Sequence, residues 1–235
     1  MTRSGEGPGA VFFDLYGTLL DLGPLDAECE ALAPGRGAEV AAAWRAEQLR
    51  LTWLRTIVGA WADFGAVTAD ALASTGQRFG LEQRLLDRMA GAFDRLPVRP
   101  EAEPALRRLR AAGLIVGGLS NGSTAMIERA VRGSGLSGLL DHVLSADGVR
   151  RYKPDPAVYQ LAVDATHLAA GSISFVTAND WDAAGAAAFG FNVAWLQVPG
   201  STLAPRLGGA PPRSVTWADV GRIGSPESDS APPQG

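Results

Sequence analysis

The sequence predicts an α/β fold, a parallel sheet flanked by helices with an all-helical block inserted after the first strand. Three observations carry this. Residues 10–13, "AVFF", form a short and wholly apolar run, as expected of a strand buried on both faces. From there to about residue 97 the pattern is helical, with no convincing strand. After that the chain alternates short apolar runs with helical segments, the rhythm of right-handed crossovers and a parallel sheet.

Residues 38–62 read as a helix, with Trp44, Leu51, Leu54, Val58 and Trp61 at helical spacings. Two further helical segments are expected near 68–79 and 81–93. Residues 96–104, "LPVRPEAEP", hold three prolines and mark a boundary. Beyond it, "LIVGGLS" is a strand, "TAMIERAVRGSG" a helix, "HVLS" a strand and "DPAVYQLAVDAT" a helix. "SISFVT", "DAAGAAAFG" and "FNVAWLQV" follow as strand, helix and strand. The 10–13 strand must join this sheet, since alone it could not bury its faces. The expected division is a core of 9–19 and 98–222, a helical block of 20–97, and disordered polar tails at 1–8 and 223–235.

At 235 residues the chain holds one large domain or a main domain carrying a smaller one. A net charge of −4 gives no reason to expect a nucleic-acid or membrane partner. Cys29 is the one cysteine, which excludes an intrachain disulfide and a thiolate metal cluster. No apolar run is long enough to span a bilayer, and residues 1–8 lack the apolar stretch of a signal peptide, so a cytoplasmic location is expected. His142 and His167 are the only histidines, which weighs against chemistry built on histidine.

Sites in such sheets lie at the carboxyl ends of the strands. Asp14, Tyr16 and Thr18 follow the first strand; read alone, they are ordinary turn formers. "LSNGST" supplies Ser120 and Asn121 ahead of a helix N-terminus. "RYKPDP" supplies Lys153, and "FVTANDWD" supplies Thr177, Asn179, Trp181 and Asp182. Each is weak alone, but their order and spacing together are specific.

The stretches "DLYGTL", "LSNGS", "YKPDPAVYQLA" and "NDWDAAGAAAFGF" resemble the four motifs of the haloacid dehalogenase superfamily, and within it the L-2-haloacid dehalogenases. The likeness extends through "WRAEQLRLTWLR" and "DFGAVT". It implies a Rossmann-like parallel-sheet core with a helical cap, and hydrolysis of small L-2-haloacids to D-2-hydroxyacids through an ester on Asp14. It also implies a homodimer, with no nucleic-acid or membrane partner. Superfamily phosphatases carry a second carboxylate two residues after the first, to protonate a departing alkoxide. Here that position is Tyr16, and a halide needs no proton to leave. With Ala178 and Asn179 in place of a metal-binding "GD", Mg²⁺ is poorly held, so no metal or cofactor is expected.

The remaining roles follow from the resemblance and from charge. Asp14 attacking an anionic substrate meets a repulsion of about 4 kcal/mol at ~4 Å and an effective dielectric of ~20. Lys153 is expected to hold Asp14 as a carboxylate, and Ser120 with strand-end amides to bind the substrate carboxylate. Arg45 and Asn121 are expected at the departing halide. Asp182 is the expected base for ester hydrolysis, with Asn179 and Thr18 positioning the water and ester oxygens. Tyr16, Leu49, Phe64 and Trp181 are expected to wall the acyl chain; Leu15, Tyr159 and Thr177 complete the implied substrate contacts.

Four positions depart from the family pattern. Thr177 stands for serine, Thr124 for proline, and Ala46 for a glutamine, which is expected to enlarge the pocket. Asp180 adds a carboxylate that would repel substrate if it pointed inward. Three rivals remain. A phosphatase of the superfamily is disfavoured by Tyr16. A serine hydrolase is suggested by "GLSNG" (118–122) but needs a suitably placed histidine. A silent binder of small carboxylates would have no use for a nucleophile.

Overall fold

The computed structural model describes residues 8–82, 86, 89, 91–197 and 202–224. One sheet of six parallel strands runs in the order β3-β2-β1-β4-β5-β6. The strands are β1 (Ala10–Phe13), β2 (Ile115–Ser120), β3 (His142–Ser145), β4 (Ile173–Thr177), β5 (Asn192–Leu196) and β6 (Arg213–Val215). β1 is central, with Phe13 opposite Gly118 on one side and Val176 on the other. All four of its residues are buried, which is why it reads as an unbroken apolar run. Gly117 faces the Phe12 ring, which fills the space a Cβ would need.

Between β1 and β2 lie helices α1 (Gly23–Leu32), α2 (Gly37–Val58) and α3 (Phe64–Phe79). The chain leaves and returns at one place. Leu20 bridges Val98, the Asp21 amide donates to the Pro97 carbonyl (2.8 Å), and the Arg99 amide to that of Leu19 (2.9 Å). The helical cap therefore sits directly over the carboxyl end of β1.

In α2 the buried face is Val40, Ala41, Trp44, Gln48 and Thr52, and the helix stops at Gly59 in the left-handed conformation. Of the apolar residues read at helical spacings, Leu54 and Val58 are 42% and 69% exposed. Periodicity identified the helix but not the face, because Leu54, Ile57 and Val58 form a second apolar stripe outside the core. α3 begins earlier than expected, where Asp63 accepts the Ala66 amide as N-cap. Of the helix expected near 81–93, residues 83–85, 87, 88 and 90 lie outside the described residues, Leu86 and Met89 are helical, and Ala92–Arg95 is a 3₁₀ turn.

The core helices are α4 (Ala102–Ala111), α5 (Thr124–Gly133), α6 (Pro156–Thr166), α7 (Asp180–Phe189) and the short α8 (Trp217–Val220). α4 was not expected. Pro104 sits in its first turn, where a missing N–H costs nothing, so the proline-rich break ends at Glu101 rather than at residue 104. β6 and α8 were not expected either, since three residues with two exposed give little pattern. Ile223 is buried, which corrects the tail expected from residue 223; residues 1–7 and 225–235 of the expected tails lie outside the described residues. Among the described residues no helix is long and apolar enough to cross a membrane.

Candidate active site

Asp14 lies one residue beyond β1, its amide donating to the Val176 carbonyl (3.0 Å), so the sheet itself fixes its backbone. Its carboxylate is buried and its two oxygens are differently served. Oδ2 accepts from the Thr18 hydroxyl (3.1 Å) and from Asn179 Nδ2 (2.8 Å). Oδ1 accepts from Lys153 Nζ (3.1 Å). A carboxylate oxygen has two in-plane lone pairs, so Oδ2 is saturated while Oδ1 keeps one free.

Each donor is itself fixed. The Thr18 hydroxyl accepts the Ala178 amide (3.0 Å), clipping the loop after β1 to the one after β4. Asn179 is the N-cap residue of α7, a position where its side chain would ordinarily bond the helix amides. Here the side chain makes no cap bond and goes to Asp14 and the Tyr16 carbonyl (3.3 Å). The Thr177 hydroxyl accepts the Asn179 amide instead (3.1 Å). Thr177 is thus a buried support of Asn179 and does not line the cavity.

Lys153 is fully buried, and its ammonium is shared between Asp14 and Asp182 Oδ2 (3.0 Å) while lying 4.9 Å from the Phe175 ring centre. Burial opposes its charge, but the two carboxylates outweigh burial and hold its pKa above the ordinary lysine value. Asp182 is also fully buried, and Tyr159 donates to its Oδ1 (2.8 Å). Burial raises the Asp182 pKa to about 6, with Lys153 pulling it down and Asp14 pushing it up. Tyr159 therefore reaches Asp182 rather than the cavity, a correction to its expected substrate contact. Leu15 is corrected likewise: its side chain packs into the core beside Gly118 and does not line the cavity.

A cavity of about 30 Å³ opens over Asp14, lined from the core by Tyr16, Ser120, Asn121, Asn179 and Trp181 and from the cap by Arg45, Gln48, Leu49 and Phe64. Asn121 Oδ1 accepts the Lys153 amide (2.8 Å), which leaves its buried Nδ2 without a partner in the lining. The Ser120 oxygen accepts the Gly122 amide (3.0 Å), so its proton remains available. Arg45 has no hydrogen-bond or ion-pair partner among the described residues. Burial lowers its pKa, and Asp14 and Asp26 oppose that shift. The Tyr16 ring stacks on Phe64 (6.2 Å) and meets Phe93 edge-on (5.5 Å). Burial, followed by Asp94, pushes the Tyr16 phenol above its ordinary range.

Other expectations change. Ala46 is exposed and belongs to a surface depression with Glu47, Arg50 and Arg78, so it cannot enlarge the catalytic cavity. Asp180 does not line the cavity; it sits in the first turn of α7, where the helix dipole favours a carboxylate. His142 pairs with Gly117, three residues short of Ser120 along β2, and stacks on Phe12, while His167 ends α6. Neither lines the cavity with Ser120, which removes the support for a serine hydrolase. Among the described residues no group of three or more His, Cys, Asp or Glu could hold a metal. Sequence reasoning missed Gln48 and Trp53. Gln48 shares the inward face of Arg45 at i+3, and Trp53, two turns on, packs edge-on against Trp181 (5.9 Å).

A family model described as haloacid dehalogenase-like hydrolase matches residues 8–190. The chain is 40% identical over 208 residues to the (S)-2-haloacid dehalogenase of Pseudomonas sp. (strain YL), covering 88% of this chain and 89% of that protein. It is 38% identical to haloacetate dehalogenase H-2 of Moraxella sp. (strain B), covering 90% and 95%. Among solved structures, the L-2-haloacid dehalogenase RSc1362 superposes with a TM-score of 0.87 at 38% identity, covering 92% of this chain and 98% of that one. That of Xanthobacter autotrophicus with chloropropionic acid covalently bound gives 0.79 at 34% identity, covering 92% and 98%. The chain belongs to the haloacid dehalogenase-like hydrolases, in the branch of the (S)-2-haloacid dehalogenases.

Proposed function

We propose that this protein hydrolyses small L-2-haloacids to D-2-hydroxyacids through an ester on Asp14, without a metal. The observation that carries this is the asymmetric seat of Asp14, with one oxygen saturated by Thr18 and Asn179, the other open beside Lys153, and no second carboxylate at position 16. On the Oδ2 side, where the replaced metal-binding "GD" is read, the Asn179 amide nitrogen instead joins Asp14 to the Tyr16 carbonyl.

In the first step Oδ1 attacks the α-carbon from the side opposite the halogen, so the C–O bond forms as the C–halogen bond breaks and the centre inverts. The substrate carboxylate is held by Ser120 and the Leu15 amide. The halide leaves toward Arg45 and Asn121 Nδ2, cationic and polar donors with no partner to surrender among the described residues. Their attraction grows as charge moves onto the halogen, so they stabilise the transition state above the ground state. Tyr16, Leu49, Phe64 and Trp181 surround the acyl chain with apolar surface.

The second step breaks the ester. Asp182, half-ionised near pH 6, takes a proton from water, and the hydroxide adds to Asp14 Cγ. Charge then develops on Oδ2, the oxygen already bonded by Thr18 and Asn179, which form an oxyanion hole for it. Collapse breaks the Cγ–Oδ1 bond, the proton held by Asp182 passes to the departing alkoxide, and the hydroxyacid leaves with an oxygen that came from Asp14. Lys153 serves both steps because it touches both carboxylates.

A cytoplasmic homodimer completes the reading. Cys29 is a free buried thiol, in keeping with a reducing compartment. Ile57 (79% exposed), Val58 and Leu54 give the cap an apolar stripe suited to self-association, which sedimentation checks directly. The functional test is halide release from L-2-chloropropionate in excess chelator, with the D-enantiomer and Asp14→Asn as controls. L-selective release abolished by Asp14→Asn is expected. Silence on haloacids with magnesium-dependent release from a phosphate ester would favour the phosphatase.

A further inference from the structure

We propose that Tyr152 is a positioning residue that ties the seat of Lys153 to the docking of the helical cap, an inference that rests on reading Lys153 as the cation serving Asp14. Tyr152 precedes Lys153 in the core, where its carbonyl accepts the Asp155 amide (3.0 Å), yet its amide, hydroxyl and ring all meet the cap. Its amide donates to the Thr56 hydroxyl (3.1 Å) and its own hydroxyl to the Ala62 carbonyl (2.6 Å). Its ring stacks on Trp61 at 4.7 Å and lies 6.0 Å from Phe64, whose own ring lines the cavity. Arg151 adds a bond to the Thr56 carbonyl (3.3 Å). Tyr152 is fully buried between these contacts.

The consequence falls on the next residue. The Lys153 amide is held by Asn121, so its backbone has one core anchor and one neighbour anchored in the cap. Its ammonium spans Asp14 and Asp182 at 3.1 and 3.0 Å, a geometry with little slack. The groups facing Asp182 are Lys153, Asp14 and the Tyr159 hydroxyl. Retreat of the ammonium by ~1 Å weakens its attraction for Asp182 enough to raise the half-titration point by about one pH unit at an effective dielectric of ~20. A tyrosine that only filled space would leave that titration alone.

The test uses the full-length protein labelled with ¹³C at aspartate carboxyl carbons, so that Asp182 is titrated by NMR without turnover, alongside kcat and KM for L-2-chloropropionate. Tyr152→Leu is expected to move the Asp182 midpoint upward by about one pH unit. It should also lower kcat by about 100-fold while KM changes little. Tyr152→Phe, which keeps the ring, and Thr56→Val, which removes the acceptor of the Tyr152 amide, should shift both in the same direction by less. These two carry the test if Tyr152→Leu does not fold. A lower melting temperature with the Asp182 midpoint and kcat unchanged would overturn the proposal. Absence of halide release by the unsubstituted protein would instead strike the proposed function, leaving the Asp182 titration to decide the coupling.

Discussion

Lys153→Met removes the cation that touches both buried carboxylates. At 3.1 and 3.0 Å the Coulomb attraction is about 5 kcal/mol for each pair at an effective dielectric of ~20. Without it, Asp14 and Asp182 face each other in a buried site, and two such carboxylates cannot both stay ionised. One proton is therefore expected to remain on the pair at neutral pH. If half of the lost attraction is recovered by rearrangement, ~2.5 kcal/mol of support for the nucleophile is still missing, and halide release should fall by about 70-fold. Stability should acquire a new pH dependence. The pair's folded-state pKa rises above its unfolded value, so the folded protein binds more protons than the unfolded chain. Its contribution is full at low pH and is lost as pH rises through the folded value, with a slope of up to ~1.4 kcal/mol per pH unit. Urea unfolding of both proteins from pH 5.5 to 8 measures this. The variant should lose ground to the parent as pH rises. Parallel stability profiles, with halide release within tenfold of the parent, would refute the shared-cation reasoning.

Asp182→Asn should release one halide per protein molecule and stop, with the acyl group found on the Asp14 peptide by mass spectrometry; in the parent, kcat should decline below about pH 6 as Asp182 takes up its proton. Asn179→Ala removes one of the two donors to Oδ2 and should lower kcat by about 10²–10³-fold, read by steady-state kinetics. Gly185→Ala would place a Cβ 2.7 Å from the Tyr159 hydroxyl and against Pro154, the groups beside Asp182 and Lys153. It should cost about 1–3 kcal/mol in urea unfolding.

Much of this site was legible because its chemistry is local to strand ends. Asp14, Lys153 and Asp182 each follow a strand or open a helix within a few residues, so position along the chain implied convergence in space. Asn179 was legible as a site residue, but not as an N-cap that forgoes capping, because only the tertiary contact to Asp14 outcompetes the helix amides. Thr177 and Tyr159, expected as substrate contacts, bond Asn179 and Asp182 and lie behind the cavity lining. A sequence motif reports proximity and not which way a side chain turns. Ala46 and Gln48 make the same point on α2. Beside Arg45 in the chain, Ala46 lies on the outer face, while Gln48 at i+3 reaches the cavity. α4 and β6 were hidden for different reasons, a proline in a first turn and a strand of three residues that buries one.

The origin of the product's hydroxyl oxygen tests the ester on Asp14 most directly. A single turnover with protein in excess over L-2-chloropropionate in H₂¹⁸O should give unlabelled D-lactate and one ¹⁸O in the peptide containing Asp14. Label appearing in the lactate on that first turnover, with the Asp14 peptide unlabelled, would mean that water attacks the substrate directly and that Asp14 is not the nucleophile.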